Sequence, residues 1–158
     1  MTALTDIDIT HLRRAIDLAG QAAARGDRPF GAVTVDRDGR VLAEGTNAVS
    51  SSGDVTTHAE LVAITTATAA GHAEALRGST MYASGEPCPM CAAAMVWARV
   101  GRIVFAAAAA EFGQILPDGP RFALTCADLV ATSNVPVEVS GPHLGGEALE
   151  VFRAATAG

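Results

Sequence analysis

Two short segments place the strongest constraint on how this chain can fold. They are His58-Ala59-Glu60 and Pro87-Cys88-Pro89-Met90-Cys91, and together they supply one imidazole, two thiols and one carboxylate. If one metal ion binds them, the fold must bring His58 beside two cysteines that follow it by 30 residues or more. A structural zinc site uses four protein ligands, whereas a catalytic site uses three and leaves the fourth position to water. The two segments therefore indicate a zinc site with one open position.

Each of these segments stands at the start of a predicted helix. The first helix runs from near Thr57 to about Ala70, and the second from about Pro89 to Ala98. Cys88 and Cys91 are three residues apart, so both thiols fall on the first turn. Proline suits that turn because its missing N–H would have no partner there. Two helix N-termini can then point at one metal ion, and their dipoles favour thiolate over thiol.

The residues also suggest a reaction. Zinc held by His58, Cys88 and Cys91 lowers the pKa of a bound water to about 7. Glu60 is the candidate proton shuttle, taking a proton from that water and giving it to a ring nitrogen and then to a departing amine. The expected substrate carries an amino group on a heterocyclic carbon, and the products are an oxo compound and ammonia.

Other interpretations of the cysteines remain open. C-x-x-C alone is found in redox pairs and in halves of structural zinc sites. A closed site would need a fourth ligand, for which Cys126, His72 and His143 are candidates, although Cys126 lies in the apolar segment FALTCADLV. A non-catalytic, zinc-stabilised binding module is therefore one alternative. Glu60 argues against it, because a closed site has no use for a proton shuttle.

Composition narrows the possible partners. The formal net charge is −6, lysine is absent, and the eleven arginines are scattered. This argues against a large nucleic-acid surface. Three cysteines do not form a disulfide framework, and the longest apolar stretch is far shorter than the roughly 20 residues of a membrane helix. We expect a single domain over residues 1–158 that is cytoplasmic, acts on a small molecule and contacts neither membrane nor nucleic acid.

The pattern along the chain predicts the order α-β-β-α-β-α-β-α-β-α, with a mixed sheet between helices. An Asp-Gly turn joins the first two strands. Residues 50–54 and 111–120 are predicted as loops, residues 122–131 as a helix, and residues 135–139 as an edge strand.

These residues resemble the cytidine-deaminase superfamily, and most closely its guanine deaminases. H-x-E followed by P-C-x-x-C is a signature of zinc nucleobase deaminases. The stretches that carry the resemblance are 28–33, 44–47, 58–60 and 84–98, the last reading SGEPCPMCAAAMVWA. The resemblance implies a three-layer α/β/α fold with a mixed five-stranded sheet, a zinc cofactor and a homodimer.

The resemblance also implies roles for individual residues. The zinc ligands would be His58, Cys88 and Cys91, and the acid/base Glu60. Contacts to the substrate would come from Asn47 through its amide, Phe30 and Trp97 as pocket walls, Ala59, and an acidic residue that is Glu111 or Asp118, with Glu111 nearer the strand end.

The expected substrate is a free base such as guanine, isoguanine, a triazine such as ammeline, or cytosine. A tRNA adenosine deaminase of the same superfamily is the alternative. It would need basic residues at the pocket mouth and in the C-terminal helix. Only Arg121 and Arg153 follow Arg102.

Overall fold

The computed structural model describes residues 3–157. Within these residues there are five strands and seven α-helices, in the order α1 Asp6–Ala24, β1 Gly31–Val35, β2 Val41–Thr46, α2 Val49–Ser52, α3 Ala59–Ala69, β3 Thr80–Gly85, α4 Pro89–Trp97, β4 Arg102–Ala107, α5 Ala109–Ile115, α6 Cys126–Ala131, β5 Glu138–Ser140 and α7 Gly145–Thr156. A short 3₁₀ helix, Glu74–Leu76, precedes β3. None of the helices within residues 3–157 combines the length and the apolar character needed to cross a membrane.

The strands form one mixed sheet in the order β2-β1-β3-β4-β5. β1 is antiparallel to both β2 and β3, whereas β3, β4 and β5 are parallel. The carboxyl ends of β2, β3 and β4 therefore meet the amino end of β1 at the same edge. Loops that leave this edge lead into α3, α4 and α5. The expected mixed five-stranded sheet between helices is confirmed.

Side chains alternate between two cores, one on each face of the sheet. α1 and α7 cover one face, where Leu12, Val33, Tyr82, Val104 and Phe152 are buried together. α3, α4 and α6 cover the other face around a second set of buried residues, Ala32, Ala63, Met81, Met95, Ile103 and Val130. Tyr82 and Met81 are neighbours in sequence yet belong to different cores, because successive strand side chains point to opposite faces. The result is the expected three-layer arrangement.

A buried ion pair ties α1 to the sheet. Asp8, 4% exposed, accepts hydrogen bonds at 2.7 Å from the Tyr82 hydroxyl and from Arg102 Nη1. Burial alone would raise the pKa of Asp8, but these hydrogen bonds outweigh it and hold that pKa well below its usual value. The carboxylate is therefore charged at neutral pH, which lets one acid in α1 fix two strands.

Two glycines allow helices to lie directly on the strands. A Cβ on Gly31 would fall 2.6 Å from the Leu18 Cβ in α1, and a Cβ on Gly45 would collide with the Ala59 carbonyl and lie 2.8 Å from the Ala63 nitrogen. Real Cβ atoms essentially never approach so closely. Gly45 therefore lets the first turn of α3 rest on β2, close to the sheet edge where the loops converge.

The structure corrects several element boundaries. Residues 49–52 and 109–115 are helical and overlap the segments 50–54 and 111–120, which the sequence predicts as loops. Their N-cap residues, Ala48 and Ala108, make no side-chain cap, which is why no start signal is visible. The sixth helix begins at Cys126 rather than at residue 122, because Thr125 caps it by accepting from the Asp128 N–H. The last strand lies at 138–140, so it begins three residues later and ends one residue later than expected.

Candidate active site

The three predicted zinc ligands come together at the edge of the sheet where β2 and β3 end. The Cys88 and Cys91 sulfurs each lie 3.5 Å from His58 Nδ1, and the three ligand atoms all lie within 4.8 Å of one another. Within residues 3–157 this is the cluster positioned to hold a metal ion, and it includes neither Cys126 nor Glu60. The three-ligand set expected from the motifs is thus assembled by the fold.

Both ligand segments are helix starts. His58 is the N-cap of α3 and Cys88 the N-cap of α4, and neither side chain caps its own helix. Pro89 stands at the first position of α4. An N-cap side chain normally accepts from a backbone N–H. Here both side chains turn toward each other instead, which leaves the two positive helix ends facing the space between them.

The donor geometry fits zinc. A tetrahedral ion with sulfur at about 2.3 Å and nitrogen at about 2.0 Å holds nitrogen and sulfur about 3.5 Å apart. That is the separation observed for both thiols. The hydrogen bond from the Cys91 thiol lowers the pKa of Cys88 to about 4, and the same contact raises the pKa of Cys91. A second thiolate therefore forms readily only when a cation replaces the shared proton.

Glu60 lies beside the ligands in a buried position. It is 5% exposed and stands in the first turn of α3, two residues after His58. Burial raises the pKa of Glu60 to about 6, and the nearby Cys88 charge adds to the effect. A carboxyl group with a pKa close to neutral can both accept and release a proton. The structure therefore brings a suitable acid/base next to the ligand set.

Asn47 also lies at this edge, immediately after β2. It is 2% exposed, and its Oδ1 accepts from the Val49 N–H at 3.1 Å. The Ala48 N–H donates to the Thr57 carbonyl at 3.0 Å, which places Asn47 beside the segment that leads into α3. Across residues 3–157 Nδ2 makes no hydrogen bond, so the amide keeps its N–H donors for another molecule.

Phe30 belongs to an aromatic cluster beneath this edge. Its half-buried ring contacts Phe112 of α5 and Phe152 of α7, each with ring centroids 5.3 Å apart in an edge-to-face arrangement. A Cβ added to Gly85 would lie 2.9 Å from the Phe30 ring, so the ring also packs on the end of β3. The sequence analysis does not predict Phe112 or Phe152 as neighbours of Phe30. Phe112 falls in a segment that was expected to be a loop.

The two acidic candidates lie in neighbouring segments beyond β4. Glu111 is exposed in the first turn of α5, and its Oε2 is 4.0 Å from where a Cβ on Gly145 would be. Asp118 lies in the loop before α6, where its backbone carbonyl accepts from Arg28 Nη1 at 3.3 Å. Both residues thus belong to the segment that follows β4 and begins at the sheet edge where the ligands lie.

The remaining candidates differ in position. Ala59 is fully buried as the first residue of α3, so its methyl group faces the core. Trp97 is 87% exposed in the last turn of α4, about 12 Å along the axis from Pro89. It lines a surface cleft of about 250 Å³ together with Ile64 and Arg99. The structure does not bring Trp97 together with the ligands of its own chain.

Glu86 is a residue near the site that sequence reasoning missed. Its Oε2 accepts from the Ala109 N–H at 2.9 Å and its Oε1 from the Cys126 N–H at 3.1 Å. One carboxylate thus anchors the starts of α5 and α6 to the loop that carries the cysteines. A negative charge is favourable at the N-terminus of a helix. An acid directly before Pro87-Cys88 is the only sequence signal of this role.

Comparison with known proteins decides the family. The model of the cytidine and deoxycytidylate deaminase zinc-binding region matches residues 5–107. This chain belongs to that family. It is therefore a zinc-dependent deaminase of the cytidine-deaminase superfamily, as the motifs predicted.

Relatives within the superfamily differ in substrate. A probable cytosine deaminase of Schizosaccharomyces pombe is 33% identical over 151 residues, which span 94% of this chain and 91% of the relative. The guanine deaminase of Bacillus subtilis is 46% identical over 99 residues, which span 62% of this chain and 63% of the relative. A solved structure from a study of tRNA:A34 deaminases matches with a TM-score of 0.75 at 31% identity, covering 90% of this chain and 99% of that one.

Zinc content tests the ligand set. We expect about one zinc ion per chain by metal analysis, because three ligands suffice for a catalytic site. Burial raises the pKa of Cys126 to about 12, which keeps it a neutral core thiol. Cys126→Ser should therefore retain the ion, whereas Cys88→Ser should lose it. Loss of zinc from the Cys126 variant would mean a closed, four-ligand site.

Proposed function

We propose that this protein deaminates a free, amino-substituted base of guanine type by hydrolysis. The observation that carries the proposal is the placement of a buried carboxyl group and a hydrogen-bond-donating amide beside three zinc ligands. Glu60 and Asn47 are 5% and 2% exposed, so both are shielded from bulk water. A flat heterocycle placed between them would meet a proton shuttle and an N–H donor at once.

The chain's residues divide the reaction between them. His58, Cys88 and Cys91 would hold zinc, which supplies an activated water as nucleophile near neutral pH. Glu60 takes a proton from the attacking water as the new C–O bond forms and passes it to the adjacent ring nitrogen. Glu60 then removes the remaining proton from the new hydroxyl group and gives it to the amine, the C–N bond breaks, and ammonia leaves. Water and the amino base are converted to the oxo base and ammonia.

Two groups of opposite character support a guanine-like edge. The Asn47 amide offers N–H donors, because its oxygen already accepts from Val49. Glu111 is the favoured acidic residue and would accept from ring N–H and exocyclic amine. Guanine, isoguanine and ammeline present both acceptors and donors. A base without a matching acceptor would leave the buried Asn47 amide unpaired, which discriminates strongly in enzyme sites.

The alternatives have specific weaknesses. A tRNA adenosine deaminase must bind a polyanion, yet this chain has no lysine and a net charge of −6. Of the arginines near the site, Arg28 and Arg121 donate to backbone carbonyls of the 117–118 segment. A non-catalytic zinc module gives no reason for a buried Glu60 next to the ligands.

We also propose a homodimer formed through the outer surface of α3 and α4. α4 reads PMCAAAMVW and is apolar on every side, whereas α3, which reads AELVAITTATA, adds the half-buried Leu61, Val62 and Ile64. Trp97 is 87% and Met90 37% exposed on α4. Burying these side chains against a second copy would remove a large apolar area from water.

Sedimentation equilibrium tests the dimer. Trp97→Glu places a charge on the proposed interface and should shift the dimer to monomer. Ile7→Glu is the matched control, because Ile7 is also exposed, at 64%, but lies on α1 on the other side of the sheet. A Trp97→Glu protein with the mass of the unchanged protein would contradict this interface.

Glu60→Gln tests the mechanism. The amide is nearly the same size but cannot carry the proton, so zinc content and fold should be kept while kcat falls at least about 100-fold. Ammonia release measures kcat, and metal analysis with circular dichroism provides the control. A near-normal kcat would assign the proton transfer to another group.

A substrate panel tests the remaining step. Ammonia release is measured from guanine, isoguanine, ammeline, cytosine, adenine and their nucleosides, and inosine formation from a tRNA anticodon stem-loop. We expect turnover of a guanine-like free base. Glu111→Gln should lower kcat/KM for that base at least about tenfold with zinc retained, and Asp118→Asn should change it little. Activity on the stem-loop alone would replace this proposal by a tRNA adenosine deaminase.

A further inference from the structure

The ion pair between Arg25 and Asp27 lies outside the ligand cluster and binds the segment that follows β2. Asp27 has a side chain with 0% exposure, and Arg25 Nε donates to its Oδ2 at 2.7 Å. The backbone N–H of Ser51 donates to Oδ1 of Asp27 and the Ser51 hydroxyl to Oδ2, both at 2.8 Å. The carboxylate of Asp27 therefore accepts three hydrogen bonds, two of them from α2.

The same arginine reaches Asn47 directly. Arg25 Nη2 donates to the Asn47 backbone carbonyl at 2.7 Å and to the Thr46 hydroxyl at 3.2 Å. On its other side, the Asn47 N–H donates to the Phe30 carbonyl at 3.0 Å. Both polar groups of the Asn47 main chain are thus held, the N–H by the residue that precedes β1 and the carbonyl by a guanidinium group.

The side chain of Asn47 is fixed through α2. Its Oδ1 accepts from the Val49 N–H at 3.1 Å, in the first turn of that helix. α2 has only four residues, and its N-cap Ala48 makes no side-chain cap. Asp27, from another segment, accepts instead from the Ser51 N–H, which an N-cap side chain would normally bind. Without Asp27, so short a helix has little to hold it, because isolated helices of a few residues are unstable in water.

We propose, on the basis that Asn47 binds the base as proposed above, that Arg25 and Asp27 are positioning residues for substrate binding. They form a clamp on residues 46–51 that fixes the direction of the Asn47 Nδ2 donors. A donor fixed before binding costs less entropy when the substrate is ordered against it. The clamp therefore acts on affinity for the base and leaves the ligand cluster unchanged.

The charge state supports a permanent clamp. Burial alone would raise the pKa of Asp27, but the hydrogen bonds from Arg25 and Ser51 outweigh burial and hold that pKa below its usual value. The Asp27 carboxylate therefore stays charged at neutral pH. An arginine that bridges a carboxylate and a carbonyl uses the fixed fork of its guanidinium, which lysine cannot reproduce.

Arg25→Met tests the clamp, since methionine keeps an apolar stem but donates no hydrogen bond. The matched control is Arg14→Met. Arg14 also pairs with a carboxylate, since its Nε and Nη2 both donate to Glu44 at 2.8 Å, but it makes no hydrogen bond to residues 46–51. Its side chain is 40% exposed, against 44% for Arg25. We expect Arg25→Met to raise KM for the best base about tenfold, with zinc content unchanged and a much smaller change in kcat. Arg14→Met should leave KM unchanged.

A double-mutant cycle separates positioning from general stability. In an Asn47→Ala background the Arg25→Met substitution should raise KM less than about twofold further, because the group that it positions is gone. An equal penalty in both backgrounds would overturn the inference. If Asn47→Ala alone leaves KM unchanged, the proposed base contact is wrong.

Hydrogen exchange measures the clamp without any substrate. Arg25→Met should speed amide exchange in peptides that cover residues 47–52 and leave α3 as protected as before, whereas Arg14→Met should change neither. Unchanged exchange in residues 47–52 of the Arg25 variant would show that the ion pair does not hold this segment. This readout decides the clamp even if no base in the panel is turned over.

Discussion

The meeting of two helix N-termini at one sheet edge is the constraint on which the site depends. His58 and Cys88 each begin a helix, and their side chains must approach to 3.5 Å. Helix axes can come so close to the strands only where side chains are small. Gly45 under α3 and the alanines of α3 and α4 meet this requirement. The close packing of α3 and α4 on this face of the sheet is therefore required for the metal ligands to meet.

The sequence predicted those parts of the fold whose signals are local. The long helices, the first four strands and the three ligands follow from periodicity and from two motifs, and the structure confirms them. The short helices α2 and α5 were missed because their stabilising acceptors, Asp27 and Glu86, lie 24 and 23 residues away in the chain. No window of neighbouring residues contains such information.

The residues expected to face the substrate show a second limit. Resemblance placed Phe30 and Trp97 together as pocket walls, yet Phe30 packs among aromatic rings at the site edge whereas Trp97 is exposed at the far end of α4. The position of a residue in a motif predicts that its side chain has a role, but it does not predict where the fold places that side chain. Neither Glu86 nor Arg25 is part of a recognisable motif, because the backbone groups that they bind lie more than 20 residues away in the sequence.

The match to the family model ends at Ala107, the last residue of β4. The ligands, Glu60, Asn47 and its clamp all precede that point, whereas Glu111, Phe112 and Asp118 follow it. In the function proposed above, the metal ligands, the proton shuttle and one base contact therefore precede this boundary, whereas the acidic base contact follows it. Glu86 and Phe30 are the points at which the earlier part contacts the later one, so a side-chain change after Ala107 that spares these contacts would alter the proposed acidic base contact and leave the ligand set in place.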